Sequence, residues 1–84
     1  MNKMIVIHAP ARKVLNEFWL RYPNRRLECK QKYGFDPIVQ EDQYWVPGIK
    51  ERAHADILRD IMNNGGVFSV ALVRRWMASE LKQA

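Results

Sequence analysis

The chain has 84 residues, 48% apolar and 27% charged, with four Gly, four Pro and one Cys. So short a chain fills one core, which predicts a single domain over residues 1–84, and an aromatic content of 11% argues against disorder. Lone Cys29 excludes an internal disulfide and points to a reduced, cytoplasmic setting. The longest apolar run, Val67–Val73, falls far short of the roughly 20 residues that span a bilayer, so no membrane partner is expected. The apolar stretch Met4–Ile7 is too short for the about 7–15 residues of a secretory leader.

In chain order, Lys3–His8 reads as a strand, because Ile5, Val6 and Ile7 are β-branched and consecutive. Pro10 suits a first helical turn. Ala11, Val14, Leu15, Phe18, Trp19 and Tyr22 then recur at helical spacing and predict an amphipathic helix that ends before Pro23. A weaker helix is expected over Arg25–Tyr33, capped by Asn24, anchored by Leu27, Cys29 and Tyr33, and terminated by Gly34. Ile38–Gln40 and Gln43–Val46 read as a hairpin around Glu41-Asp42. A helix from about Ile49 to Asn63 buries Ala53, Ile57, Leu58 and Ile61, and the run Asn63-Asn64-Gly65-Gly66 stops it. A last helix, about Phe68 to Lys82, closes the chain. The expected fold class is α+β: a short N-terminal strand and a hairpin packed with three or four helices, ending in an αα-hairpin.

Most chemical constellations are missing. A structural zinc site needs about four Cys or His ligands at short spacing, and Cys29, His8 and His54 do not supply them. Gly65-Gly66 lacks the flanking pattern of a phosphate-cradling loop. Asp56 and Asp60, one turn apart on an outward face, read as solvated charge rather than a metal or acid–base pair. His54 lies on the inner stripe of its helix and reads as a core histidine with one satisfied hydrogen bond. His8, at the start of a loop, is a weaker candidate for acid–base work. Cys29 reads as a half-buried contact, although Arg25, Arg26, Lys30 and Lys32 would favour its thiolate if they lay near. The expectation is a non-enzyme without metal or cofactor.

Charge carries the functional argument. The net charge is +5, and residues 1–33 hold eight basic and two acidic groups, whereas residues 34–66 hold three and six. A positive field of this kind attracts phosphate backbones or acidic protein surfaces. One basic surface runs through Arg21, Arg25, Arg26, Lys30 and Lys32, with Tyr33 and Phe35 as aromatics able to stack on unpaired bases. A second lies on the last helix, where Arg74, Arg75 and Lys82 form a stripe beside Ala78 and Ser79. With the preceding helix and the Gly65-Gly66 turn, it fits either a helix-turn-helix or an αα-hairpin whose basic end complements the helix dipole. The expected function is a small nucleic-acid-binding regulator, with DNA or RNA as partner. An inhibitor or adaptor that binds an acidic protein is an alternative, and homodimerisation is left open.

One resemblance bears on the runner-up reading, a ribonuclease toxin. Ile5-Val6-Ile7 and the run Val14-Leu15-Asn16-Glu17-Phe18-Trp19-Leu20-Arg21-Tyr22-Pro23 resemble the opening strand and helix of HigB-type, RelE-like ribonuclease toxins. The resemblance covers about 20 residues and implies helices before an antiparallel sheet, with action on ribosome-associated messenger RNA. The family's catalytic residues lie in the part that does not match, so none is carried over.

Overall fold

A computed structural model of the chain describes residues 5–42, 49 and 52–82. Four helices make up most of it: α1 (Ala9–Arg21), α2 (Pro23–Tyr33), α3 (Ala55–Asn63) and α4 (Val70–Lys82), with a 3-10 turn at Arg52–His54 leading into α3. The expected α+β class is overturned, since the protein is mainly helical and no sheet forms among the described residues.

The extended N-terminal segment makes a single parallel bridge, between Val6 and Val67. Val6 N donates to Gly66 O at 2.9 Å and Phe68 N to Val6 O at 2.8 Å. β-branched residues favour the extended backbone. Extension becomes a sheet only where a partner strand continues the ladder, and here the chain turns into α1 and α4 on either side of the bridge. Ile38–Gln40 has no regular structure, and the hairpin's second arm, Gln43–Val46, lies outside the described residues.

The helix boundaries move for identifiable reasons. Pro23 ends α1 and also opens α2 at its first position, where a missing N–H costs nothing, so Tyr22 rather than Asn24 is the N-cap. At the other end Gly34, at φ 80°, donates its N–H to Lys30 O at 3.0 Å. α3 begins only at Ala55, after the 3-10 turn, and not near Ile49. α4 starts at Val70 rather than Phe68, because Phe68 N is committed to Val6 and Ser69 acts as the cap. Leu72 N donates to Ser69 Oγ at 3.4 Å, and Val73 N to Ser69 O at 2.8 Å.

α1 and α4 leave the Val6–Val67 bridge together and run in the same direction. Phe18 and Trp19 of α1 therefore reach Trp76 of α4, with ring centroids 5.5 and 5.6 Å apart. Edge-to-face contacts of this kind add roughly 0.5–1.5 kcal/mol each beyond the apolar area they bury. Ile5, Ile7, Leu15, Ile57, Ile61, Phe68 and Val73 complete the buried core. α2 contributes no fully buried residue and rests on the bundle through half-buried Cys29. No helix among the described residues is long and apolar enough to cross a membrane.

Candidate nucleic-acid interface

The nine residues that the sequence nominates lie at the end of α1, along α2 and on α4. Arg25, Arg26 and Arg75 among them hold carboxylates of the same chain. Arg25 Nη1 lies 3.7 Å from Glu80 Oε2 at the end of α4. Arg26 grips Asp36 with two hydrogen bonds, Nε to Oδ1 at 3.1 Å and Nη2 to Oδ2 at 2.7 Å. Arg75 spans from α4 to α3, donating to Asp56 Oδ2 at 2.8 Å and also to Asp60. Arg12 binds Asp42 in the same manner.

Two of these contacts, Arg26 with Asp36 and Arg75 with Asp56, shift both members in the expected sense. The hydrogen bonds to Arg26 hold the Asp36 carboxyl below its ordinary 3.8, and those to Arg75 do the same for Asp56. The guanidinium groups of Arg26 and Arg75 are correspondingly held more firmly in their charged form. Asp56 and Asp60 keep the solvent exposure expected of them, and both also receive Arg75. Their spacing of one turn places both carboxylates on the face of α3 that meets Arg75. An acidic i, i+4 pair facing an arginine on the next helix of a hairpin was the signal available in the sequence.

Arg21, Lys30, Lys32, Arg74 and Lys82 are exposed. The Arg21 guanidinium lies 5.9 Å from the Tyr22 ring and the Lys32 ammonium 5.2 Å from the Tyr33 ring. Tyr33 is half-buried and pairs with Phe35 at 6.4 Å around Gly34, so neither aromatic projects as an open platform. Arg21, Lys30 and Lys32 also sit in the last turns of α1 and α2, where they complement the carbonyl ends of the helix dipoles.

The helix-turn-helix geometry is not supported. Its two helices are joined by a turn of about three to four residues, whereas residues 64–69 intervene here and carry the Val6–Val67 bridge. Phe68 at the entry to α4 is buried, and Arg75 is held by α3, so α4 belongs to an αα-hairpin.

His54 is the core histidine that its helical position suggested, and it anchors a part-buried polar junction of three elements whose other members the sequence did not reveal. His54 is 1% exposed, with Nε2 3.2 Å from Glu80 Oε1 and its ring 6.1 Å from that of Trp76. Glu80 thus faces both His54 and Arg25. Cys29 lies beside it, and burial first, then the charges of Glu80 and Glu28, push its thiol up, against the weaker pull of Lys32 and Arg25. Cys29 is thus the half-buried contact expected from its sequence position, and its basic neighbours do not favour the thiolate. His8 is exposed at the N-cap of α1, and its side chain makes no capping hydrogen bond.

No family model matches the chain, and no curated protein or solved structure shows significant similarity to it.

Proposed function

We propose that this protein is a small, non-catalytic nucleic-acid-binding regulator of a reduced, cytoplasmic setting, contacting phosphates through Arg21, Lys30 and Lys32. One observation carries the reading. Among the described residues Arg75 takes two carboxylates, Asp56 and Asp60, while Asp36, Asp42 and Glu80 face Arg26, Arg12 and Arg25. Glu17, Glu28 and Glu41 are the exposed acids outside those pairs among the described residues, set against exposed Lys13, Arg21, Lys30, Arg52, Arg59, Arg74 and Lys82. Two of the three proposed contacts lie on α2, which buries no residue fully and so presents most of its surface to a ligand.

Fluorescence anisotropy with labelled duplex DNA, single-stranded DNA and RNA tests this. Phosphate binding releases counterions, so log K should fall against log salt with a slope of about −0.7 to −0.9 per contact. Three contacts should therefore lower affinity by more than tenfold between about 50 and 200 mM salt. Absence of binding to all three probes at the lower salt overturns the proposal. Cleavage of the RNA probe without added metal would replace it with the ribonuclease reading.

A further inference from the structure

Among the described residues α4 packs with one side against the core. Val73 and Trp76 are buried, and Leu72 and Met77 rest against the core. On its other side Ala71, Arg74, Ala78 and Leu81 recur at steps of three, four and three residues, the spacing that keeps side chains in one seam along a helix. All four are exposed, as is Lys82 beside them, and Leu81 is one of the large apolar side chains left outward, at 40%. Arg74 and Lys82 make no ion pair among the described residues, while neighbouring Arg75 is neutralised by Asp56 and Asp60. The seam thus combines small residues that admit close approach, an apolar anchor near its end, and two outward cations.

We propose that this seam docks an amphipathic helix of an acidic protein partner. The partner's apolar side chains would pack over Ala78 and Leu81, and its carboxylates would meet Arg74 and Lys82. Charge decides among the occupants. A second copy would set Arg74 and Lys82 against the same cations, a like-charge contact that disfavours association. A lipid surface calls for clusters of about 4–8 cations, and this seam offers two. A duplex would gain nothing from Leu81, and Arg75 is unavailable to its phosphates. The seam is also separate from the proposed phosphate contacts. Glu80 faces Arg25 of α2, and Lys82 lies about 200° further round the helix, so either surface can fail without the other.

The test uses the whole chain and two synthetic helical peptides. Both carry Leu and Ala on one face; Glu flanks that face in one and Lys in the other. Amide chemical-shift mapping should place the Glu peptide on Ala71, Arg74, Ala78, Leu81 and Lys82. Arg74→Glu with Lys82→Glu should weaken the Glu peptide by about tenfold or more and admit the Lys peptide instead. Ala78→Arg, a steric block at an exposed site, should weaken both peptides, and circular dichroism verifies that each variant is folded. Equal binding of the two peptides, or binding of neither, overturns the proposal. So do seam shifts produced by duplex DNA or phosphatidylglycerol vesicles but not by the Glu peptide. Self-association that Ala78→Arg abolishes would assign the seam to a second copy.

Discussion

Asn16 of α1 and Val39 of the segment after α2 exchange two hydrogen bonds. Asn16 Nδ2 donates to Val39 O at 2.8 Å, and Val39 N donates to Asn16 Oδ1 at 2.8 Å. The side-chain amide thereby stands in for a neighbouring strand. It satisfies both backbone groups of a residue that is 3% exposed, at a place where no sheet is available. Together with Arg12–Asp42 and the donation from Ile7 N to Asp42 O, it straps residues 36–42 across α1.

Removing that amide should be costly out of proportion to its size. Asn16→Ala leaves the N–H and C=O of Val39 without partners, which costs about 1–3 kcal/mol for each buried group left unmade. Urea unfolding should show a lower midpoint with an unchanged slope. Asn16→Asp should also destabilise near neutral pH, because a carboxylate cannot donate to Val39 O, and should recover partly when protonated. Glu17→Ala, one residue on and exposed, is the control, with an expected change within about 0.5 kcal/mol.

The basic residues should separate into two groups by what their loss changes. Arg25→Ala and Arg26→Ala break contacts with Glu80 and Asp36, so they should lower the unfolding midpoint while leaving the salt slope of nucleic-acid binding intact. Arg21→Ala and Lys30→Ala should do the reverse. Each is expected to reduce the slope by about 0.7–0.9 and to leave unfolding nearly unchanged. A slope that responds to Arg25 and Arg26 but not to the second group would show that the internal pairs open on binding.

Acid should destabilise the fold through Asp36 and Asp56. Both are held below the ordinary 3.8 by hydrogen bonds from Arg26 and Arg75. Above 3.8 the unfolded and folded chains both carry these charges, and the stabilisation is fully present. As pH falls the unfolded chain takes up protons first, and the stabilisation is lost down through the lowered folded values. Asp36→Asn with Asp56→Asn should therefore reduce stability at neutral pH and flatten the acid limb of a pH–stability curve measured by urea unfolding.

Gly34 offers a test of backbone conformation isolated from packing. Its φ is 80°, and a Cβ built there would meet nothing within 4 Å. Gly34→Ala should thus cost only the left-handed strain, about 1–2 kcal/mol, and Gly34→Asn less. Thermal melts that leave Gly34→Ala as stable as the parent would show that this end of α2 relaxes freely.

Cys29 should react slowly with thiol reagents near neutral pH, because burial and the nearby Glu80 and Glu28 disfavour its thiolate. Alkylation rates compared with a short peptide thiol check this. A rate above that of the free thiol would mean that Arg25 and Lys32 dominate its surroundings.

The sequence by itself determined the helices. Leu15, Phe18 and Trp19 on α1, Ile57 and Ile61 on α3, and Val73 and Trp76 on α4 fall at helical spacing, and periodicity is a local property that a chain carries wherever it folds. Tertiary structure alone decided what Ile5-Val6-Ile7 became. β-branched residues favour extension, but a strand exists only if distant backbone pairs with it, and here Val67 supplies a single bridge. Charge was likewise legible as composition but not as surface. Arg25, Arg26 and Arg75 look the same in sequence as Arg21, Lys30 and Arg74. Which of them face inward to a carboxylate depends on how α2, α3 and α4 are brought together. That arrangement is set by core packing around Trp19 and Trp76, between residues far apart in the chain, whose contacts no local pattern encodes.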